Sequence, residues 1–182
     1  MIERADPQYP ASIKETPFLL VENCRQMEKM LAELEKATEI AVDLEHHSYR
    51  SFLGITCLMQ ISTRTSDYIV DTIALRDEMH HLNEVFTNPK ILKVSSWHKR
   101  RFCFYSKDVL HNSSCNLQVF HGANSDIQWL QKDFGVYVVG MFDTFIAAQT
   151  LKFPQGSFQY LLSDICKVDT DKGYQLADWR LR

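Results

Sequence analysis

The sequence lacks the features that mark secreted and membrane proteins. Its most apolar stretches are shorter than the roughly 20 consecutive apolar residues that a membrane-spanning helix needs. Charges and prolines occupy the segment MIERADPQYP, where a signal peptide would carry an apolar run. We therefore expect neither a secretory signal nor a membrane partner.

Cysteine occurs, but not in a pattern that would build a structural framework. The five cysteines are Cys24, Cys57, Cys103, Cys115 and Cys166, and no two of them form a CxxC pair. An odd and scattered set argues against a disulfide scaffold and against a zinc ribbon. It favours a reducing compartment.

An excess of positive charge is also missing. The chain carries 20 Lys and Arg against 23 Asp and Glu, which gives a net charge of -3. A protein that binds nucleic acid by neutralising phosphates over a broad surface is normally basic. If this chain handles nucleic acid, we expect a local site in which metal ions supply positive charge.

What the sequence does contain is an alternation of strand and helix patterns. Apolar spacing predicts a helix over about residues 24–37, with Asn23 and Gln26 spaced as in a capping box. Asn124 is a candidate N-cap of a second helix, and Gly135 should end that helix. Further segments complete the pattern: EIAVDLE, CLMQIST, DYIVD and ILKV as strands, and ALRDEMHHLNEVFTN, TFIAAQTL and SFQYLLSDIC as helices. Such alternation predicts an α/β fold with a mixed sheet.

Two carboxylates lie two residues apart directly after an apolar run. Asp43 and Glu45 should project from the same face of their strand because side chains alternate along it. Neighbouring carboxylates repel each other, and a divalent cation removes the conflict because carboxylate oxygens are natural ligands of Mg²⁺ and Mn²⁺. The pair is therefore a candidate metal site. The alternative is a solvated acidic strand end.

A third carboxylate, Asp126, lies in the first turn of a predicted helix, just after His121-Gly122. It either joins the same metal site or complements the positive end of the helix dipole. His121 either orients a ligand or is a hydrogen-bonded structural histidine. Spacing alone leaves these alternatives open.

Long motifs surround these residues and resemble one family. VDLEHHSYRSFLGITCLMQIST resembles the first motif of the RNase D branch of DEDD 3′→5′ exonucleases, and VFHGANSDIQWLQKDFGVYVVGMFDT resembles the second. GYQLADWRLR is similar to the segment that precedes the third motif. Within the branch, the likeness is greatest to the type associated with the nuclear RNA exosome. The resemblance implies a ribonuclease H-like mixed sheet flanked by helices.

The resemblance also implies a two-metal phosphodiesterase. Asp43, Glu45 and Asp126 match three of the four family carboxylates and would bind two divalent cations, Mg²⁺ or Mn²⁺. One ion would activate a water and the other would stabilise the leaving 3′-oxygen, releasing nucleoside 5′-monophosphates. The implied partners are single-stranded RNA 3′ ends and exosome subunits. The implied location is the nucleus, and the implied process is rRNA and snoRNA processing and decay.

Four further residues are candidates for substrate binding. His46, His47 and Tyr49 either contact the terminal nucleotide or form a solvent-exposed polar turn. Trp129 either stacks on a base or packs its helix against the sheet.

The chain departs from the family pattern in two places. The third motif, with its water-positioning tyrosine and fourth carboxylate, would lie downstream of Arg182, so the exonuclease domain over residues 23–182, after a lead-in at 1–22, is expected to be partial and C-terminally truncated. Residues 94–118 form an irregular insertion. Val94-Ser95 can be encoded by GTAAGT and Leu117-Gln118 by TTGCAG, which resemble splice signals. We hypothesise a retained intron, although an RNA-binding loop is the alternative.

Three functions remain open from the sequence. The first is a metal-dependent exoribonuclease domain. The second is a catalytically incomplete fragment that binds RNA or a protein partner. The third is a related exonuclease that acts on DNA, against which only EHHSYRSF and YQLADWR argue.

Overall fold

The computed structural model describes residues 15–37, 39–88, 92–95, 119–139, 141–169, 173 and 177–181. Within them, strands form one mixed sheet. The strands are β1 (Phe18–Val21), β2 (Glu39–His47), β3 (Ile55–Ser62), β4 (Asp67–Asp71), β5 (Leu92–Ser95), β6 (Val119–Phe120) and β7 (Phe142–Asp143). Their order is β1-β4-β3-β2-β5-β6-β7, so β2 is the middle strand. β3 is antiparallel to both β2 and β4, and the remaining pairs are parallel. The predicted α/β fold with a mixed sheet is confirmed.

Helices flank the sheet and connect its strands. They are α1 (Cys24–Leu34), a 3₁₀ helix (Arg76–Leu82) continued by α2 (Asn83–Phe86), α3 (Asn124–Phe134), α4 (Thr144–Thr150) and α5 (Phe158–Asp164). Helix α1 starts where predicted because the side chain of Asn23 accepts a hydrogen bond from the N–H of Gln26 at 3.1 Å. None of the described helices has the length and apolar character needed to cross a membrane.

Several element boundaries differ from the predictions. Helix α1 ends at Leu34 rather than near residue 37, and most of the segment predicted as a helix after Leu75 is 3₁₀. The capping residue of α3 is Ala123 rather than Asn124, which is already helical, whereas the predicted stop at Gly135 is confirmed by its left-handed φ of 61°. The predicted lead-in contains β1, which pairs with β4 and so belongs to the sheet.

Alternation along β2 divides its side chains between two environments. Ile40, Val42 and Leu44 are at most 2% exposed and belong to the main hydrophobic core. That core also receives side chains from α1, the 3₁₀ helix and α3. Asp43 and Glu45 have the opposite parity and therefore project from the other face of the strand. The core thus holds β2 in position through one face, and the face that carries Asp43 and Glu45 is not part of this core.

Asp133, near the end of α3, links the helix to the start of β3. Its Oδ2 atom accepts hydrogen bonds from the N–H of Thr56 at 2.9 Å and from the Thr56 hydroxyl at 2.8 Å. Burial alone would raise the pKa of Asp133, but the bonds from Thr56 and the charge of Lys132 outweigh it and hold the pKa below its ordinary value. The ionised carboxylate therefore stabilises the attachment of α3 to the sheet.

The predicted insertion falls mostly outside the described residues, since only Val94 and Ser95 of residues 94–118 are described. These two residues end β5, and the chain re-enters the sheet at the adjacent, parallel β6, where Val119 pairs with Val94. Neither the retained-intron hypothesis nor the RNA-binding alternative is tested by this arrangement.

Replacing Asp133 with Asn should reduce the free energy of unfolding at pH 7 by about 2 kcal/mol, because two charge-assisted hydrogen bonds to Thr56 are weakened. The wild-type contribution is complete above the unfolded-state pKa of about 3.9 and is lost as the pH falls through the lower folded-state value. Urea unfolding at several pH values measures both effects. Glu33→Gln, which disrupts the exposed Glu33–Lys36 pair, is the control and should change stability by less than about 0.5 kcal/mol.

Deleting residues 94–118 would join Lys93 to Val119, so that ILKVF could form one continuous strand beside β2. The closure entropy of a loop of two dozen residues is about 3 kcal/mol, and its removal should raise the melting temperature. Thermal unfolding followed by circular dichroism measures the change. A deletion variant that fails to fold would show that the segment is an integral part of the domain.

Candidate active site

The predicted carboxylate pair lies on the middle strand of the sheet. Asp43 is 4% exposed, and Glu45, two residues later on the same strand, is partly exposed. The regular pairing of β2 with β3 shifts between Glu45 and His46, which marks a bulge or irregularity at this point. Such irregularities re-aim side chains and are frequent beside active sites. The alternative of a fully solvated acidic strand end is wrong for Asp43.

Asp126 lies in the first turn of α3 and is 7% exposed. The fold brings it close to Asp43 although the two are distant in sequence. Burial raises the pKa of the Asp43 carboxyl well above its ordinary value, and the negative charges of Asp126 and then Glu45 raise it further. The three predicted carboxylates therefore belong to one electrostatic site. The sequence left this open for Asp126.

Asp143, which is not one of the predicted ligands, fixes the turn from which α3 begins. Asp143 accepts hydrogen bonds from the N–H of Gly122 at 2.9 Å and from the N–H of Ala123 at 3.1 Å. It also caps α4 by accepting from the N–H of Phe145 at 2.8 Å. One side chain thus joins the end of β7, the start of α4 and the turn before Asp126. The sequence predicted the helix TFIAAQTL, but no local signal revealed the contact of Asp143 with the turn.

The same turn contains His121, whose role the sequence left open. Its Nδ1 atom lies 2.9 Å from the hydroxyl of Thr144, and its ring packs against Phe145 and Phe158. Burial lowers the pKa of His121, so the neutral ring is favoured at pH 7. These contacts are those of a hydrogen-bonded structural histidine.

The carboxylates provide suitable ligand atoms for a metal ion, but they do not form a complete coordination group. The Oδ1 atom of Asp43 is buried and has no hydrogen-bond partner among the described residues, which is expensive for a carboxylate unless a cation or a proton compensates it. Oxygen donors of this kind suit Mg²⁺ and Mn²⁺. In the described part of the chain, however, no three His, Cys, Asp or Glu side chains are grouped closely enough to hold an ion. The carboxylate oxygens are of the type that these metals prefer, but the side chains are too far apart to surround one ion.

His46 and Trp129 lie against each other beside the carboxylates. Their rings are parallel within 3°, with centroids 4.1 Å apart. Gly54 covers the His46 ring so closely that an added Cβ would lie 2.0 Å from Cε1. Trp129 also packs against the main core, which is the packing role that the sequence left open for it. Because Trp129 and Gly54 lie against the imidazole ring of His46, its face is not free to stack on a base. The Nε2 atom at the ring edge is buried and has no hydrogen-bond partner among the described residues.

His47 contacts the segment at the end of the chain. Its Nδ1 atom lies 3.7 Å from Oδ1 of Asp178, and its Nε2 atom is buried and has no hydrogen-bond partner. The Asp178 carboxylate is held by Arg180 through two contacts of 2.8 and 2.6 Å, and these bonds keep the pKa of Asp178 far below its ordinary value. The alternative of a solvent-exposed polar turn is thus wrong for His46 and His47, which are the last two residues of β2. It is correct for Tyr49, whose side chain is 92% exposed.

The chain matches a family model described as a 3′-5′ exonuclease over residues 18–100 and 105–182. It is 47% identical to human exosome complex component 10 over 182 residues, which is all of this chain but 18% of that protein. The crystal structure of the catalytic core of RRP6 from Trypanosoma brucei superposes with a TM-score of 0.81 and 40% identity, covering 100% of this chain and 43% of that one. Escherichia coli RNase D shares the fold, with a TM-score of 0.72 at 17% identity over 92% of this chain and 38% of that one.

These similarities confirm the predicted ribonuclease H-like fold and the predicted RNase D-type relationship. The chain spans about a fifth of the curated relatives' length. Its carboxylate-bearing strand and helix lie within the matched residues, and so does most of the sheet. The chain belongs to the 3′-5′ exonuclease family, in the group that includes exosome component 10 and RRP6.

Proposed function

We propose that this chain is an exoribonuclease domain that removes nucleoside 5′-monophosphates from RNA 3′ ends. The observation that carries the proposal is the Asp43 carboxylate, which is buried beside Asp126 and Glu45 and has an unpaired oxygen. An arrangement of this kind is unfavourable without a cation. It is useful where a metal-bound phosphodiester must be hydrolysed.

Members of this exonuclease family generally use two divalent metal ions. In this chain, the proposed ligands are Asp43, Glu45 and Asp126, and the proposed ions are Mg²⁺ or Mn²⁺. When bound, the ions would supply the positive charge and the water activation that hydrolysis requires. The chain itself provides the positioning, because Asp143 fixes the turn before Asp126 and so directs the helix carboxylate towards the strand carboxylates.

The terminal nucleotide would lie beside the end of β2. The Nε2 atoms of His46 and His47 have no hydrogen-bond partner within the part of the chain that the structure describes, and we propose that they form hydrogen bonds to the sugar or phosphate. Burial and then the charge of Lys132 lower the pKa of His46, so a neutral ring is favoured there. Trp129 holds the His46 ring in place and lines the same region. Tyr49, in the exposed loop that follows, is the fourth proposed RNA contact.

The wider role follows from the names of the relatives. Human exosome complex component 10 is named as a subunit of an exosome, which supports exosome subunits as partners of this chain. A nuclear location and a role in rRNA and snoRNA processing are part of the same proposal. We also propose that the exonuclease domain comprises residues 23–182 together with β1. Strand β1 is added because it pairs with β4 in the sheet.

A second candidate function is RNA or partner binding without catalysis. One observation favours it: within the described residues, the carboxylates do not form a complete ligand group. Activity and binding measured on the same preparation separate the two functions.

The activity test is to incubate the purified chain with Mg²⁺ and a 5′-labelled single-stranded RNA. We expect a ladder of shortened products and release of nucleoside 5′-monophosphates, and Asp43→Ala should abolish both. A matched single-stranded DNA tests the preference for RNA. If the RNA is bound but never shortened, the binding function replaces the enzymatic one.

Metal binding has a test that does not depend on turnover. Because burial and like charges penalise ionised Asp43, Asp43→Asn should raise the melting temperature in EDTA at pH 7 by about 2–4 °C, the equivalent of about 1 kcal/mol. The wild-type penalty is absent below the unfolded-state pKa and develops as the pH rises through the higher folded-state value.

Mn²⁺ at about 100 times its Kd should stabilise the wild type by about 2.7 kcal/mol but should stabilise Asp43→Asn much less. Differential scanning fluorimetry measures both shifts. Asp77→Asn, at an exposed carboxylate on the 3₁₀ helix, is the control and should leave both values unchanged. Equal Mn²⁺ stabilisation of wild type and Asp43→Asn would remove Asp43 from the metal site.

A further inference from the structure

The loop between β2 and β3 exposes an unusual amount of apolar surface. Tyr49 is 92% exposed, Phe52 103% and Leu53 69%. Ser48, Arg50 and Ser51 complete an uninterrupted exposed run, which ends at the buried Gly54. Large side chains that face water in one short segment commonly mark a binding surface.

The base of this loop is firmly attached to α3. The ammonium group of Lys132 donates hydrogen bonds to the carbonyl of Leu53 at 2.7 Å and to that of Gly54 at 3.3 Å. The N–H of Gly54 donates to the carbonyl of Ser51 at 3.1 Å, which closes a turn. Gly54 has a φ of 64° and lies against the His46 ring, so both its conformation and the space around it exclude a larger residue. The aromatic side chains are therefore displayed on a fixed base.

The position of the loop connects it to the carboxylates. It continues directly from β2, four residues after Glu45 at Tyr49, and its base packs on the ring that stacks on Trp129. Trp129 lies one helical turn after Asp126. Helix α3 thus contacts the loop through Lys132 and the strand carboxylates through Asp126. An RNA whose 3′ end lies at the carboxylates would pass this loop with the nucleotides that precede its end.

The side chains of the loop suit single-stranded RNA, and its position favours RNA over a protein partner. Aromatic rings stack on any base, and an arginine adds attraction for phosphate without sequence preference. Arg50 lies between Tyr49 and Phe52, and all three are exposed. Protein-docking surfaces are also rich in aromatic residues and arginine, so it is the place of the loop beside the carboxylates that favours RNA. The overall charge of -3 makes a local cationic and aromatic surface the more necessary for RNA binding.

We propose that the loop Ser48–Gly54 binds the nucleotides that precede the 3′-terminal one, with Tyr49 and Phe52 stacking on their bases. Lys132 is a positioning residue that holds the loop in place. This inference rests on the proposed exoribonuclease function. It assigns Tyr49 to the preceding nucleotides instead of the terminal one.

The experiment compares a single nucleotide with a longer RNA. The full chain is titrated, with Mg²⁺ present, with uridine 5′-monophosphate and with an oligouridine of about 12 nucleotides whose 3′-terminal linkage is a hydrolysis-resistant phosphorothioate. Isothermal titration calorimetry gives both affinities. Tyr49→Ala/Phe52→Ala should weaken binding of the long RNA by about tenfold per aromatic ring removed, and should leave binding of the mononucleotide, which has no preceding nucleotide, unchanged. Phe18→Ala/Tyr137→Ala, at exposed aromatics outside the loop, is the matched control and should change neither affinity.

The positioning role of Lys132 needs a separate measurement, because a lysine could also contact phosphate directly. The salt dependence of RNA binding distinguishes the two roles. Lys132→Met should weaken binding of the long RNA while leaving the slope of log affinity against log salt unchanged, since a positioning residue releases no counterion. Lys132→Arg should restore part of the affinity. A slope that falls by about 1 would identify Lys132 as a phosphate contact and overturn its positioning role.

The remaining outcomes separate this inference from the proposed function. If the wild type binds the long RNA but does not shorten a hydrolysable one, the exonuclease function fails and the loop assignment stands. Unchanged binding of the long RNA by Tyr49→Ala/Phe52→Ala overturns the loop assignment and leaves the exposed rings to a protein partner. Equal losses for the mononucleotide and the long RNA also overturn it, since the loop would then act at the terminal nucleotide.

Discussion

Asp43 and Asp126, two of the proposed metal ligands, are held close together because helix α3 is attached at both ends. At its start, Asp143 accepts two backbone N–H groups of the turn before the helix. At its end, Asp133 accepts two hydrogen bonds from Thr56 on β3. Repulsion between Asp126 and Asp43 would otherwise push the helix away from the sheet. The two attachments oppose that repulsion, so the local charge conflict persists in a folded chain.

Hydrogen bonding distinguishes Asp133 and Asp143, which attach α3, from Asp43, the proposed metal ligand. Asp133 and Asp143 are each surrounded by donors from the protein, and the pKa of Asp133 is correspondingly low. Asp43 is more deeply buried than either, yet its Oδ1 atom has no hydrogen-bond donor among the described residues, and its pKa is raised. This oxygen is the observation on which the proposed metal site rests, because a buried carboxylate oxygen without a hydrogen-bond donor is costly unless a cation or a proton compensates it.

The sequence predicted the features that depend on local pattern. Alternation placed Asp43 and Glu45 on one face, and the glycine at position 135 ended α3. It did not predict contacts that join distant segments, such as Asp133 with Thr56, because no short-range spacing records them. It also stopped β2 too early: His46 and His47 resemble a polar turn by composition, yet Trp129 and Asp178 cover them once the chain folds. Long-range packing overrides local preference there.

The sheet order explains why rigid and adaptable parts of the site are separate. Asp43 lies on β2, which has β3 on one side and β5 on the other, so the strand that carries it has neighbours on both edges. Middle strands open least often, which suits a carboxylate whose position must be accurate. The exposed aromatics lie instead on a loop joined to the sheet only at its base, where moderate adjustment is tolerated. The proposed hydrolysis of a phosphodiester needs the first property, and the proposed binding of RNA of variable sequence needs the second. The strand and the loop that follows it would supply both within a dozen residues of the chain.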